Sequence, residues 1–365
     1  MDQRVKDIID QFLIEKGDVE AAAYGNGHIN DTLCVTVRNG ENKKRYILQR
    51  INSYVFPHPI EVIENIEKVT AHLRGILEKE GGDIERGTLT LVQTRDGKHY
   101  ALAPDGELWR MYLFVEGTKS VDLPDTPELF ELSGRAFGRF QNQLGGFDAS
   151  VLHETIVDFH NTPARYQQLM DAVRRNEAGR LEAVEAELAF CRKYEQEVHV
   201  LLDALHAGEI PLRVTHNDTK LNNVLLDAAT GEGVCVIDLD TVMPGLAAYD
   251  FGDSIRSGAS TGAEDERDLT KVNLSVPMFE AFARGYLSEA GSALNAREKA
   301  LLPMGAKMMT LECGMRFLAD YLNGDKYFRV HRENHNLDRA RTQFKLVSSM
   351  EAHWDEMAAI IERIG

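Results

Sequence analysis

The stretch Val214–Asp240 constrains this chain more than any other part of it. It reads VTHNDTKLNNVLLD, a short polar turn, then VCVIDLD. Leu212–Thr215, Val224–Asp227 and Val234–Asp238 are short apolar and β-branched runs of the kind that form strands. The loop between the first two presents His216, Asp218 and Asn223, and the third run ends in Asp238. A polar loop with Asx turns between strands is the plain alternative. Against it, the H-x-D-x-x-x-x-N spacing, the flanking strands and a second strand-ending aspartate occur together.

The chain changes texture on either side of this island. Thr32–Val37, Arg45–Ile51, Thr88–Thr94 and Glu107–Val115 read as strands, punctuated by Asn39-Gly40, Gly81-Gly82 and Asp96-Gly97 turns. One helix interrupts them: Ile63, Ile66, Val69, Leu73, Ile76 and Leu77 recur at helical spacing after Pro57 and Pro59. From Pro124 onward long amphipathic helices take over. Leu129, Leu132, Ala136, Phe140 and Leu144 mark one, residues 181–205 carry a second, and more run from Pro277 to the end. The expectation is an α+β chain with a β-rich front lobe over 1–121 and an α-rich back lobe over 122–365, the boundary falling in Asp122–Thr126.

The loop residues suit phosphoryl transfer. That chemistry needs a carboxylate to orient and deprotonate the attacking hydroxyl, and oxygen donors for the Mg2+ that neutralises the triphosphate. The spacing matches the catalytic loop of protein kinases, in which the Asp is the base and the Asn a metal ligand. His216 reads as a loop brace. Asp250-Phe251-Gly252 spells the metal-binding DFG of those enzymes, but it follows the turn-rich PGLAAY. Asp250 is therefore expected to hydrogen-bond loop backbone or cap a helix, and Asp238, delivered by an apolar strand, to be the metal ligand.

Residues 214–256 resemble the aminoglycoside phosphotransferase and choline kinase superfamily, and more narrowly the bacterial N-acetylhexosamine 1-kinases. YGNGHIND, RYILQRIN and LECGMRFLADYLNGDKYF extend the likeness over most of the chain. The resemblance implies a bilobal protein-kinase-like fold and phosphorylation of the anomeric hydroxyl of GlcNAc or GalNAc by ATP. It implies Asp218 as base, Asn223 and Asp238 as Mg2+ ligands, and His28, Arg316 and Tyr327 as sugar contacts. Gly25 and Gly27 sit where a loop lets backbone amides approach phosphates. Gln49 falls where kinases carry a lysine. It supplies no positive charge, which weakens Glu64 or Glu67 as that lysine's helix partner. By spacing alone, Arg316 and Asp320 read equally as an i,i+4 salt bridge.

Two other readings stay open: the same chemistry on an aminoglycoside, choline-like alcohol or homoserine, and an inactive nucleotide-binding pseudokinase. A net charge of −17 argues against a nucleic-acid partner. No run approaches the roughly 20 apolar residues of a membrane span, and MDQRVKDIIDQFL lacks the apolar core of a signal peptide. Cys34, Cys191, Cys235 and Cys313 lie far apart, as free thiols in a reducing cytoplasm would. No protein partner is evident; small-molecule sugar and ATP are the expected partners.

Overall fold

In the computed structural model, which describes residues 2–25 and 29–365, β1 (Asp18–Ala23), β2 (Asp31–Asn39) and β3 (Asn42–Arg50) form an antiparallel meander. Gly40, at a φ of 60°, closes the turn between β2 and β3, a backbone state that costs glycine nothing. β4 (Ala101–Leu102) and β5 (Leu108–Leu113) complete a sheet of order β1-β2-β3-β5-β4. Strand alternation sends Val35, Val37, Tyr46, Leu48 and Met111 into one core with Ile8, Ile9 and Phe12. Ile8 and Ile9 come from the short helix α1 (Gln3–Ile9).

Helix α2 (Pro59–Glu80) starts on a proline and ends on the left-handed Gly81, the usual asymmetry of helix ends. It buries Val62, Ile63, Ile66, Val69 and Leu73, close to the sequence expectation. After α3 (Ile84–Gly87), β6 (Thr118–Lys119), β7 (Val224–Asp227) and β8 (Gly233–Val236) form a second sheet, order β6-β7-β8. Compact packing groups the chain up to Lys119 with Ser150–Val157 and Leu225–Met243. One cut after residue 121 therefore does not describe the packing, because the strand that delivers Asp238 returns to the β-rich unit.

The second unit holds Ser120–Ala149, Asp158–Val224 and Pro244–Gly365. Its helices are α4 (Pro127–Gln143), α5 (Thr162–Arg175), α6 (Glu185–Lys193), α7 (Val200–His206), α8 (Ala247–Gly258), α9 (Val276–Ala290), α10 (Ala296–Ala300), α11 (Leu302–Leu322), α12 (His335–Ala352) and α13 (Trp354–Ile364). Met315, Leu318 and Leu322 of α11 form the expected packed stripe and are fully buried. The α+β architecture with β-rich and helical parts is as the sequence indicated.

Two expectations fail locally. Residues 181–205 are not one helix. The run breaks at Tyr194, whose buried ring lies beneath the Lys307 ammonium, and Glu197 then reaches that ammonium at 2.7 Å. Thr88–Thr94 forms only isolated bridges, Leu91 to Tyr112 and Thr94 to Phe12. It shares the edge of β5 with β4, so its backbone pairs intermittently. Among the described residues no helix is long and apolar enough to cross a membrane.

Helices α8 and α11 touch through glycine. A Cβ on Gly252 would stand 2.3 Å from the Gly305 carbonyl oxygen, and one on Gly305 would stand 2.2 Å from that of Ala248. Gly252→Ala should therefore cost about 1–3 kcal/mol, the usual penalty of overpacking. Gly146→Ala, where a Cβ meets nothing within 4 Å, should stay within about 0.5 kcal/mol of wild type. Denaturant melts of both variants check the contrast.

Candidate active site

The loop after the strand Arg213–Thr215 is held by α8. Asp250 accepts the backbone N–H of His216 at 2.9 Å on one carboxylate oxygen and that of Asn217 at 2.8 Å on the other. Asp253 accepts the N–H of Thr219 at 2.9 Å, the Thr219 hydroxyl donates to the Asp250 carbonyl, and the Ser254 hydroxyl donates to the Thr219 carbonyl. Burial pushes the Asp250 carboxyl above its ordinary range, with His216 and the two amides pulling the other way. The literal DFG is thus structural: Asp250 clamps the loop, Phe251 is buried against Phe279, Phe282 and Tyr286, and Gly252 lets α8 meet α11.

Within the loop, Asp218 is 28% exposed and its Oδ1 lies 2.7 Å from the Lys220 ammonium. Asn223, buried in the turn Leu221–Asn223, donates its Nδ2 to the Asp218 carbonyl (2.8 Å) and to Asp218 Oδ2 (3.2 Å). The structure so brings Asp218 and Asn223 together. Burial alone would raise the Asp218 carboxyl, but Lys220, aided by His216 and Arg256, holds it below its ordinary range. Asp218 in turn pushes the Lys220 ammonium up. His216 Nδ1 accepts the Asp218 N–H at 3.2 Å, the bracing role its position suggested. Sequence reasoning missed Lys220, although it stands two residues past Asp218 in the quoted motif.

In the β-rich unit Asp238 follows β8, is exposed, and adopts a left-handed backbone (φ 59°, ψ 54°). That state costs a non-glycine residue roughly 1–2 kcal/mol. Gly25 is also left-handed (φ 75°), with open space where a Cβ would stand; Gly27 and His28 lie outside the described residues. Gln49 sits in register between Thr32 and Arg110. It donates to Thr32 Oγ1 at 3.1 Å and accepts from Arg110 Nε and Nη2 at 3.0 and 2.8 Å.

Arg110, 1% exposed, forms an ion pair with Asp240, 4% exposed, and Asn30 donates to the same carboxylate at 2.7 Å. Burial opposes the Arg110 charge, but Asp240 more than restores it. A buried cation thus stands on β5 beside Gln49, its charge matched by Asp240. Nothing in the sequence pattern points to it, since it appears only through strand register. Glu64 and Glu67 face His153 and His99, at 2.7 and 2.6 Å.

Arg316 and Tyr327 belong to the helical unit. The Arg316–Asp320 salt bridge that spacing alone equally allowed does not form. Asp320 is buried and accepts the N–H groups of Lys326, Tyr327 and Phe328 and the Asn336 amide. Its geometry builds the turn that presents Tyr327. The Arg316 guanidinium lies over the rings of Phe159 (5.0 Å) and Phe328 (5.6 Å), and Phe328 meets Tyr327 edge-on at 4.8 Å. Among the described residues Arg316 has no hydrogen-bond or ion-pair partner.

For a magnesium ion the donors have the right chemistry: an amide oxygen and a carboxylate are hard ligands, and Mg2+ is usually held by one or two protein groups together with substrate phosphates. With both recorded Asn223 bonds made by Nδ2, its Oδ1 is left to accept or coordinate. Among the described residues no three His, Cys, Asp or Glu side chains gather into a metal cage.

Residues 20–291 match the family model described as APH, the phosphotransferase enzyme family, and the chain belongs to that family. Solved structures share the fold at low identity. An aminoglycoside phosphotransferase from Alicyclobacillus acidocaldarius aligns at a TM-score of 0.58 and 14% identity, over 98% of this chain and 96% of that one. An ethanolamine kinase from Plasmodium vivax aligns at 0.55 and 14%, over 89% and 82%. A spectinomycin phosphotransferase, solved with ADP and spectinomycin, aligns at 0.55 and 12%, over 95% and 94%.

Removing the Asp250 carboxylate orphans two buried amide donors, each worth about 1–3 kcal/mol. Asp250→Ala should lose stability on that scale per donor in a chemical melt.

Proposed function

We propose that this phosphotransferase is an ATP- and Mg2+-dependent kinase of N-acetylhexosamines that phosphorylates GlcNAc and GalNAc at the anomeric oxygen. The observation that carries the acceptor class is Arg316: a guanidinium without a polar partner among the described residues, backed by Phe159 and Phe328 beside Tyr327. Such a group meets neutral sugar oxygens or an acetyl carbonyl, and the neighbouring aromatic faces suit a sugar ring. Arg165, whose positive charge is disfavoured by burial and then by Arg316 nearby, adds a second cation. Choline, ethanolamine and aminoglycosides are cationic and call for acidic or aromatic cages, so two arginines count against them. The ADP in the spectinomycin enzyme's structure supports a nucleotide donor.

In this reading residues 1–121 serve the nucleotide, with Gly25, Gly27 and Gln49 beside it, and 122–365 supply catalysis and sugar contacts, with His28 joining the latter. The Asp218 carboxylate orients the C1 hydroxyl and takes its proton. The C1 oxygen forms a bond to the γ-phosphorus, the bond to the β,γ-bridging oxygen breaks, and ADP leaves. A carboxyl held low by Lys220 is a weak base. It suits a loose transition state in which the proton moves late and positioning dominates. Asn223 Oδ1 and the Asp238 carboxylate would hold Mg2+, which supplies charge neutralisation at the phosphates. The Lys220 ammonium stands ready to share that work.

An acceptor panel with ATP and Mg2+, read by ADP release and phosphorus NMR, tests the assignment. GlcNAc and GalNAc should give anomeric phosphates and exceed glucose about ten- to a hundredfold, since an unmatched buried donor costs roughly 1–3 kcal/mol. Choline or an aminoglycoside outrunning both sugars, or a 6-phosphate product, removes the acceptor assignment. Asp218→Asn should lower kcat about 10²–10⁴-fold, the worth of general-base catalysis, with the ATP affinity kept.

Because the Asp218 carboxyl is depressed, it stays ionised above the ordinary carboxyl value near about 4. Activity lost on acidification should therefore show no limb from this group above about pH 4 in kcat/KM.

A further inference from the structure

His160 links two parts of the helical unit that the proposed reaction uses separately. It lies in the turn just before α5, between Phe159 and the helix cap Asn161. Its Nδ1 faces Glu312 Oε1 at 2.8 Å and its Nε2 faces the carbonyl oxygen of Asn217 at 3.1 Å. Carboxylate and carbonyl oxygens only accept, so both imidazole nitrogens are called on to donate. The pair is enclosed, with side-chain exposures of 8% for His160 and 1% for Glu312. Glu312 also accepts the Thr162 hydroxyl at 3.0 Å, and the His160 ring lies against Phe159 and Tyr249. A buried polar pair costs desolvation that apolar packing would not, which directs attention to what it holds.

It holds the peptide that aims Asp218. Asn217 is left-handed, with a φ of 64°. The carbonyl of Asn217 and the N–H of Asp218 belong to one planar peptide. His160 grips its oxygen and His216 Nδ1 grips its N–H. The plane from which the Asp218 side chain departs is thus fixed at both ends. On the other side, Glu312 stands one turn before Arg316 on α11, and i,i+4 residues share a helix face. The Arg316 guanidinium lies over Phe159, the residue next to His160.

We propose that His160, braced by Glu312, is a positioning residue that sets the orientation of Asp218 and ties it to the acceptor contact Arg316. The inference rests on the reading of Asp218 as base and Arg316 as sugar contact. It adds that the two are set on one scaffold, so a sugar seated on Arg316 meets a carboxylate already aimed at its hydroxyl.

Two substitutions and one combination test it. His160→Phe keeps the ring and removes both donors. It should lower kcat roughly 10–100-fold, the scale of a misplacement of about 1 Å, with the KM of ATP and of GlcNAc within about threefold of wild type. Glu312→Gln keeps both hydrogen bonds, since the amide donates to Nδ1 and Nε2–H still reaches Asn217, so kcat should fall by no more than about threefold. His160→Phe combined with Asp218→Asn should be no slower than Asp218→Asn alone, because His160 acts only through that carboxylate.

Undiminished kcat in His160→Phe, multiplicative losses in the double variant, or a Glu312→Gln loss as large as that of His160→Phe each overturn the proposal. If His160→Phe does not fold, Glu312→Leu, which strips the Nδ1 partner, takes its place with the same expectations. An Asp218→Asn enzyme that keeps its rate removes the base assignment instead, and is recognised by that single variant.

Discussion

Everything proposed for the helical unit depends on one buried carboxylate. Asp250 takes the amides of His216 and Asn217 on its two oxygens, and without it the two peptides just before Asp218 lose their acceptor. The carboxyl is held against its preference, since burial raises it toward the neutral form. Two backbone donors offset that penalty because hydrogen bonds to a charged acceptor are stronger than neutral ones. Asp253, with Arg256 beside it, repeats the device one turn later on α8 at Thr219. A loop pinned residue by residue suits a reaction whose protein contribution is mostly placement and charge.

The β-rich unit solves its own electrostatic problem by a different route. On β3 the amide of Gln49 joins Thr32 to Arg110 across three strands. The guanidinium is buried but matched: Gln49 takes two of its N–H groups and Asp240 pairs with its charge. Asp240 lies two residues beyond Asp238, and its backbone carbonyl accepts the Thr155 hydroxyl. The turn that presents Asp238 is thus anchored by the sheet's buried cation.

Local pattern carried the sequence reading wherever the signal was a run or a fixed spacing. Val224–Asp227 is a strand as read, the α2 stripe of Val69 and Leu73 is buried, and Asp250 binds loop amides, as the turn-rich lead-in PGLAAY suggested. The reading failed where tertiary packing decides. Tyr194 breaks a stretch with good helical periodicity because its ring and Glu197 are drawn to Lys307. Spacing alone left an Arg316–Asp320 salt bridge open, and packing decides against it: Asp320 is engaged by three backbone amides downstream. Arg110 and His160 had no signal at all, since each acquires its partner from a residue 57 or more positions away: Asp240 for Arg110, Asn217 and Glu312 for His160.

The pairing of Gln49 with Arg110, where kinases carry a strand lysine, has a regulatory corollary. Acetylation neutralises a lysine by modifying its amine, and a kinase with its sheet cation on a lysine can be silenced that way. A guanidinium sealed in the sheet offers no amine and no access. In this chain the amine close to the proposed chemistry is Lys220, whose side chain is 42% exposed and bound to Asp218, so enzymatic acylation would strike the base's own counter-charge and leave the front sheet intact.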